Sequence, residues 1–237
     1  QCHSPVPHGG VVDGATRVEG RQASQHGGVA PFSDGCHRVE VEGRVKGLRG
    51  VMLATTEHST DIDRTAAALP TGTPIIALIE SALGVHNAVK IASAIGTFRL
   101  AFGVGDYRRD TGASDDPMAL AYVRSQLVIA STLGGLPGPI DGPTLGKRGA
   151  ELVTACQHGT VHGMTGKLTL DVGQADTINH ALSPSEDEIQ WAHSLLDVPL
   201  DGPKDGSYMP RFLRAKKVAE LARVYGLWGK LEGEKRA

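Results

Sequence analysis

Apolar residues run without a break through residues 74–79 and again through 100–105, and the next residue in each case is an acid, Glu80 and Asp106. Runs of that length suit strands of a parallel sheet, buried on both faces. Between them Leu83, Val85, Val89, Ile91, Ala92 and Ile95 recur at helical spacing, so residues 82–95 predict a helix with one face on a sheet. The pattern reads strand, helix, strand, with one carboxylate closing each strand.

The same reading extends along the chain. Residues 38–42 alternate as a half-buried strand, residues 50–54 form a buried one, and residues 61–69 predict a helix stopped by Pro70. Residues 107–116 are polar and charged, which predicts a solvated loop. Residues 117–133 are apolar nearly all round, which predicts a helix covered by the sheet on one side and by another subunit on the other. Asp141 closes a short apolar stretch at 138–142, either as a third acid at the same sheet edge or as the start of an Asp-Gly turn. A helix over 148–157 and a strand over 167–170 follow. Ser183 then caps a helix whose first residue is Pro184 and whose capping box closes at Glu186. Residues 201–206 read as a Gly/Pro/Asp linker to a basic amphipathic helix over 211–227. Residues 1–35 predict a partly ordered start with one or two short strands.

At 237 residues the chain has room for a full core. Its length lies close to the roughly 250 residues of one (β/α)₈ barrel. We expect one principal domain over 1–200 and a tail over 201–237. A formal net charge of -2 and an aromatic content of 4% argue against nucleic-acid binding. Cys2, Cys36 and Cys156 are odd in number and scattered, which gives neither a disulfide framework nor a zinc knuckle and points to a reduced, cytoplasmic setting. Neither a signal-peptide core nor a run of 18 apolar residues is present, so no membrane segment is expected.

Two acids at the carboxyl ends of neighbouring parallel strands lie where α/β proteins place their sites. The pair suits a hard divalent cation, Mg²⁺ above all, which takes one or two protein carboxylates and fills its other positions with water and substrate oxygens. The alternative is that each acid ends a strand and faces water or a lysine. His158 and His162 are four apart, but Gly159 and Gly163 interrupt a shared helix and no third zinc ligand stands nearby. The segment 103–105 lacks the third glycine of a dinucleotide fingerprint, and no Gly-x-Ser-x-Gly elbow occurs.

The wording around the acids is specific. Ile79-Glu80-Ser81-Ala82-Leu83-Gly84 and Phe102-Gly103-Val104-Gly105-Asp106 resemble the "IET-x-x-G" and "FG-x-x-D" motifs of the citrate lyase beta-subunit-like family, within the HpcH/HpaI aldolase superfamily. Downstream, residues 138–142 resemble its "A-I-D-G" strand end, residues 166–170 its "G-K-x-x-I-H-P" motif and residues 183–189 its "PS-x-E-E-I" helix start. Arg38-Val39 resembles its "R-[VI]-N" strand. Three departures stand out. Glu40 replaces the asparagine, Asp171-Val172 replace His-Pro, and no carboxylate stands at Tyr208, where relatives carry a lid acid.

The resemblance implies a TIM barrel in which Glu80 and Asp106 bind Mg²⁺ and Arg38 contacts the substrate. It implies a carbon-carbon lyase that cleaves a citryl-CoA or malyl-CoA type thioester into a 2-oxo acid and acetyl-CoA. A homo-oligomer, trimer or hexamer, with the C-terminal helix as a lid over a neighbour's site, is implied as well. Two other readings stay open: a CoA-independent aldolase acting on 4-hydroxy-2-oxo acids, and a non-catalytic metabolite-binding protein, which the altered motifs favour.

Overall fold

The computed structural model describes residues 48–197 and 206–229 and the backbone of residues 16–18. Arg38, the alternating stretch around it, Cys2, Cys36 and most of the expected 201–206 linker lie outside the described residues.

Among the described residues six strands form one sheet: β1 (Thr16–Val18), β2 (Val51–Leu53), β3 (Ile75–Ile79), β4 (Thr97–Phe102), β5 (Ile140–Asp141) and β6 (Gly166–Lys167). Every neighbouring pair is parallel, and the spatial order is the chain order. Adding each parallel strand on the same side, with helices as crossovers, is how a chain winds into a TIM barrel. The helices are α1 (Ser59–Ala68), α2 (Ala82–Ala92), α3 (Val104–Thr111), α4 (Pro117–Leu133), α5 (Gly149–Val161), α6 (Ala175–Leu182), α7 (Glu186–Leu196) and α8 (Tyr208–Val224).

Strand alternation sorts the apolar side chains into two cores. Leu53, Ile75, Ala77, Ile79, Leu100 and Phe102 face the helices and pack with Ile62 of α1, Val85 and Ile91 of α2, and Val123 and Leu127 of α4. Met52, Ile76, Leu78, Ala101 and Ile140 face the other way and pack together inside the sheet's concave side. Phe102, Ile75, Ile79 and Leu100 have no exposed surface. Burial on that scale contributes about 1.5–3 kcal/mol per side chain. At the amino ends, buried Arg99 ties three strands together, its Nε donating to the Gly138 carbonyl at 2.7 Å and its Nη2 to Thr165 Oγ1 at 2.8 Å. Desolvation brings its pKa down to about 10.

Several expectations need correction. β4 begins at Thr97 and ends at Phe102, the partner of Ile79, so residues 104–111 form α3 and not a strand end followed by a loop. β6 is confined to Gly166–Lys167. α5 passes straight through Gly159, which lies against the Asp141 carboxylate, and ends before Gly163, whose φ of +96° suits a helix stop. Ser185, not Ser183, caps α7: its Oγ accepts the Glu188 N–H at 3.2 Å, and Glu188 returns to the Ser185 N–H at 3.1 Å. α6, preceded by a 3₁₀ turn over Val172–Gln174, has no counterpart in the sequence reading. Among the described residues no helix is long and apolar enough to cross a membrane.

Candidate metal centre

Glu80 directly follows β3 and extends the inward-facing set Ile76, Leu78 by one more alternate position. Only 6% of it is exposed. Its Oε1 accepts two hydrogen bonds from one residue of the loop after β2, from the Thr55 N–H at 2.7 Å and from the Thr55 hydroxyl at 3.0 Å. Its Oε2 lies over Gly103, where an added Cβ would stand 2.6 Å from that oxygen and 2.5 Å from the Glu80 Cβ. Only a residue without a side chain lets the chain pass from β4 into α3 beneath Glu80.

Asp106 occupies the third position of α3, in the first turn, where a helix end favours an acid. The helix brings it back against Glu80. Burial pushes the Glu80 carboxyl above its ordinary range, the two Thr55 bonds pull it down, and the nearby charge of Asp106 raises it again. Two acids this near each other favour a shared proton or a cation between them. Asp106 also pairs with Arg109 Nη1 at 2.8 Å, but Arg109 is 79% exposed, so that contact is a weak competitor for a cation.

The supporting loops are fastened to one another. Ser81 Oγ accepts the Gly84 N–H and donates to Glu57 Oε1 at 2.6 Å, and Asn87 Nδ2 donates to the Glu57 carbonyl at 2.9 Å. The Ala82 N–H donates to Asp110 Oδ2 of α3 at 2.8 Å. A Cβ on Gly84 would meet the Thr56 carbonyl at 2.8 Å. The glycines of the two sequence motifs are therefore closest-approach points, one where the β2 loop crosses α2 and one where β4 runs under the acid.

Glu80 and Asp106 are thus neighbours, near enough for the charge of one to act on the other. Asp141 is not with them. It is a buried strand residue and not the start of a turn, and it points toward the helices, since its neighbour Ile140 faces inward. Arg124 Nε donates to its Oδ1 at 3.0 Å and Lys167 Nζ to its Oδ2 at 3.3 Å, all three side chains being at most 8% exposed. It neutralises buried cations and is no third ligand. His162 Nδ1 lies 3.2 Å from Ser125 Oγ, and His158 lines a cleft of about 640 Å³ between α4 and α5. Among the described residues no three of His, Cys, Asp and Glu gather in a way that could hold an ion. Two carboxylates with room for water and substrate suit Mg²⁺ and not zinc. Asp171 pairs with Arg148 and receives the Gly173 N–H, and Tyr208 opens α8, stacked on Phe212. Thr55 carries no signal in the sequence, since a threonine after a strand is common, and Gly103, present in the motif, is explained only by its packing under Glu80.

Residues 38–138 match the family model for HpcH/HpaI aldolase/citrate lyase, and residues 187–226 match that for the HpcH/HpaI aldolase C-terminal domain. Human mitochondrial citramalyl-CoA lyase is 29% identical over 52% of this chain and 39% of its own. A (3S)-malyl-CoA thioesterase of Cereibacter sphaeroides is 27% identical over 60% of this chain and 50% of its own. The chain therefore spans about half or less of the length of these relatives. The crystal structure of the protein CitE from Mycobacterium tuberculosis in complex with magnesium, acetoacetate and coenzyme A aligns over 75% of this chain and 68% of its own, with a TM-score of 0.59 and 22% identity. The two family matches together cover more than half of the sequence and include the acid pair and all of helix α7 after its first residue. The chain belongs to the HpcH/HpaI aldolase/citrate lyase family.

Proposed function

We propose that this protein is a Mg²⁺-dependent carbon-carbon lyase that cleaves a hydroxyacyl-CoA thioester of the citramalyl-CoA, malyl-CoA or citryl-CoA kind. The observation that carries the reading is the approach of Asp106, in the first turn of α3, to the buried Glu80 after β3, near enough for its charge to act on the Glu80 carboxyl, an arrangement that a shared cation would relieve. The printed names of the relatives, citramalyl-CoA lyase and malyl-CoA thioesterase, and the magnesium, acetoacetate and coenzyme A of the CitE complex supply the substrate class.

Bound Mg²⁺ supplies a Lewis acid and a template for the oxygens of the 2-oxo acid half. Glu80 and Asp106 hold it, Thr55 fixes the direction of the Glu80 carboxylate, and the buried position of Glu80 keeps bulk water from competing for the same oxygens. Arg38, outside the described residues, is assigned the stabilisation of negative charge on an oxygen as the carbon-carbon bond breaks. Self-association belongs to the same proposal: α4 shows Met118, Tyr122, Ile129 and Leu133 on its outer side, each more than half exposed, and its one charged side chain, Arg124, is buried.

The test is turnover of citramalyl-CoA and malyl-CoA with Mg²⁺ and after chelation. Wild type should be active only with the metal, and Glu80→Gln and Asp106→Asn should each lower kcat/KM by about 10³. Turnover of free 4-hydroxy-2-oxo acids without any of thioesters would move the assignment to a CoA-independent aldolase. Cation binding with no turnover of either would make this a metabolite-binding relative.

A further inference from the structure

Thr55 lies two residues beyond β2 and has a φ of 48°, which no other non-glycine residue among the described residues approaches. A β-branched side chain resists the left-handed region, so the conformation persists only where its surroundings fix it. Leu53 of β2 lies two residues before Thr55, and Thr56 after it is tied to the sheet. The Thr56 N–H donates to the Leu78 carbonyl at 3.1 Å and the Thr56 hydroxyl to the Leu53 carbonyl at 2.8 Å. Between those anchors, the left-handed turn aims both donors of Thr55 at one oxygen, Glu80 Oε1, at 2.7 and 3.0 Å.

We propose that Thr55 is a positioning residue that sets cation affinity by locking the Glu80 carboxylate. With Oε1 held from two directions the carboxylate does not rotate, and Oε2 stays over Gly103 at the end of α3 that carries Asp106. The hydroxyl is the part that a less strained residue lacks. A glycine takes up φ of 48° without penalty and keeps the N–H bond, so the presence of threonine here is explained by its second donor. This inference rests on the reading of Glu80 and Asp106 as cation ligands. If Thr55 only closed the loop, substitution would change thermal stability and leave cation affinity alone.

The experiment measures Mn²⁺ affinity by electron paramagnetic resonance on the full chain, with melting temperature measured in parallel without metal. Mn²⁺ serves as a hard-ligand probe for the Mg²⁺ site. Thr55→Val and Thr55→Gly should each weaken Mn²⁺ binding about tenfold, the loss expected for one hydrogen bond to a charged group. Thr55→Ser should restore it to within about twofold, because it keeps the donor. Thr55→Gly should melt at or above the wild-type temperature while binding less tightly, a combination that a purely structural role does not produce. Wild-type affinity in Thr55→Val, alongside binding that Glu80→Gln abolishes, overturns the role of Thr55 and leaves the acid pair standing. Absence of Mn²⁺ binding by wild type, or binding untouched by Glu80→Gln, overturns the acid pair and this inference with it.

Discussion

At the scale of single residues, the site depends on one side chain being absent. Gly103→Ala places a Cβ 2.5 Å from the Cβ of Glu80, an atom that cannot move aside without shifting the end of β3. We expect Gly103→Ala to lose Mg²⁺ binding by calorimetry and to destabilise the protein by about 1–3 kcal/mol in urea unfolding, the range for overpacking a filled site. Glu80 also makes stability depend on pH. Its carboxyl is raised above the ordinary 4.5, first by burial, so the folded state holds that proton more tightly than the unfolded chain. The sign follows. In metal-free protein this contribution is complete below pH 4.5 and is lost as the pH climbs through the raised value. Unfolding curves of wild type minus Glu80→Gln should show stability increasing as the solution is acidified toward 4.5, and a flat difference would show that Glu80 is not desolvated. Both acids are legible in the sequence because each stands beside an apolar run and a motif glycine. Thr55 is not, because its role comes from a backbone turn that composition does not encode.

At the scale of elements, β3 and β4 as strands of a parallel sheet are readable in the sequence, and the end of β4 is not. Residues 100–105 look like one apolar run, yet pairing with β3 stops at Phe102, and Gly103 turns the chain into α3. The hydrophobic pattern measures burial, and Val104 is partly buried against the same core, so the change from strand to helix leaves no mark on polarity. The Asp-Gly at 141–142 misleads for a related reason: the dipeptide favours turns, but Arg124 and Lys167, distant in sequence, make a buried strand aspartate stable. Removing that partner leaves two buried cations unpaired. Asp141→Ala should cost about 3–5 kcal/mol, seen as a lower urea midpoint, with the affinity of the remaining folded protein for Mg²⁺ unchanged.

For the molecule as a whole, the sequential parallel sheet and its coat of helices follow from the alternation of apolar strand and amphipathic helix, which is why the architecture could be anticipated without coordinates. The long-range ties could not, since they join α4 and β6 to β5, and α3 to the start of α2. Under the proposed self-association, the outer face of α4 is where copies meet. Ile129→Glu and Leu133→Lys place charge on a surface with no charged residue of its own. We expect the double variant to sediment as a smaller species than wild type, and an unchanged sedimentation coefficient would show that this face is not where copies meet.

The placement of Thr55, Glu80 and Asp106 in the segments that follow β2, β3 and β4, the last of them in the first turn of α3, has an evolutionary corollary. The walls of the cylinder and the groups at its rim answer to separate selective pressures, because the buried ionic knot around Asp141 sits on the opposite face of the wall. Descendants of such a chain are free to exchange one rim segment for another and so acquire new ligands, while the scaffold beneath them stays as it is.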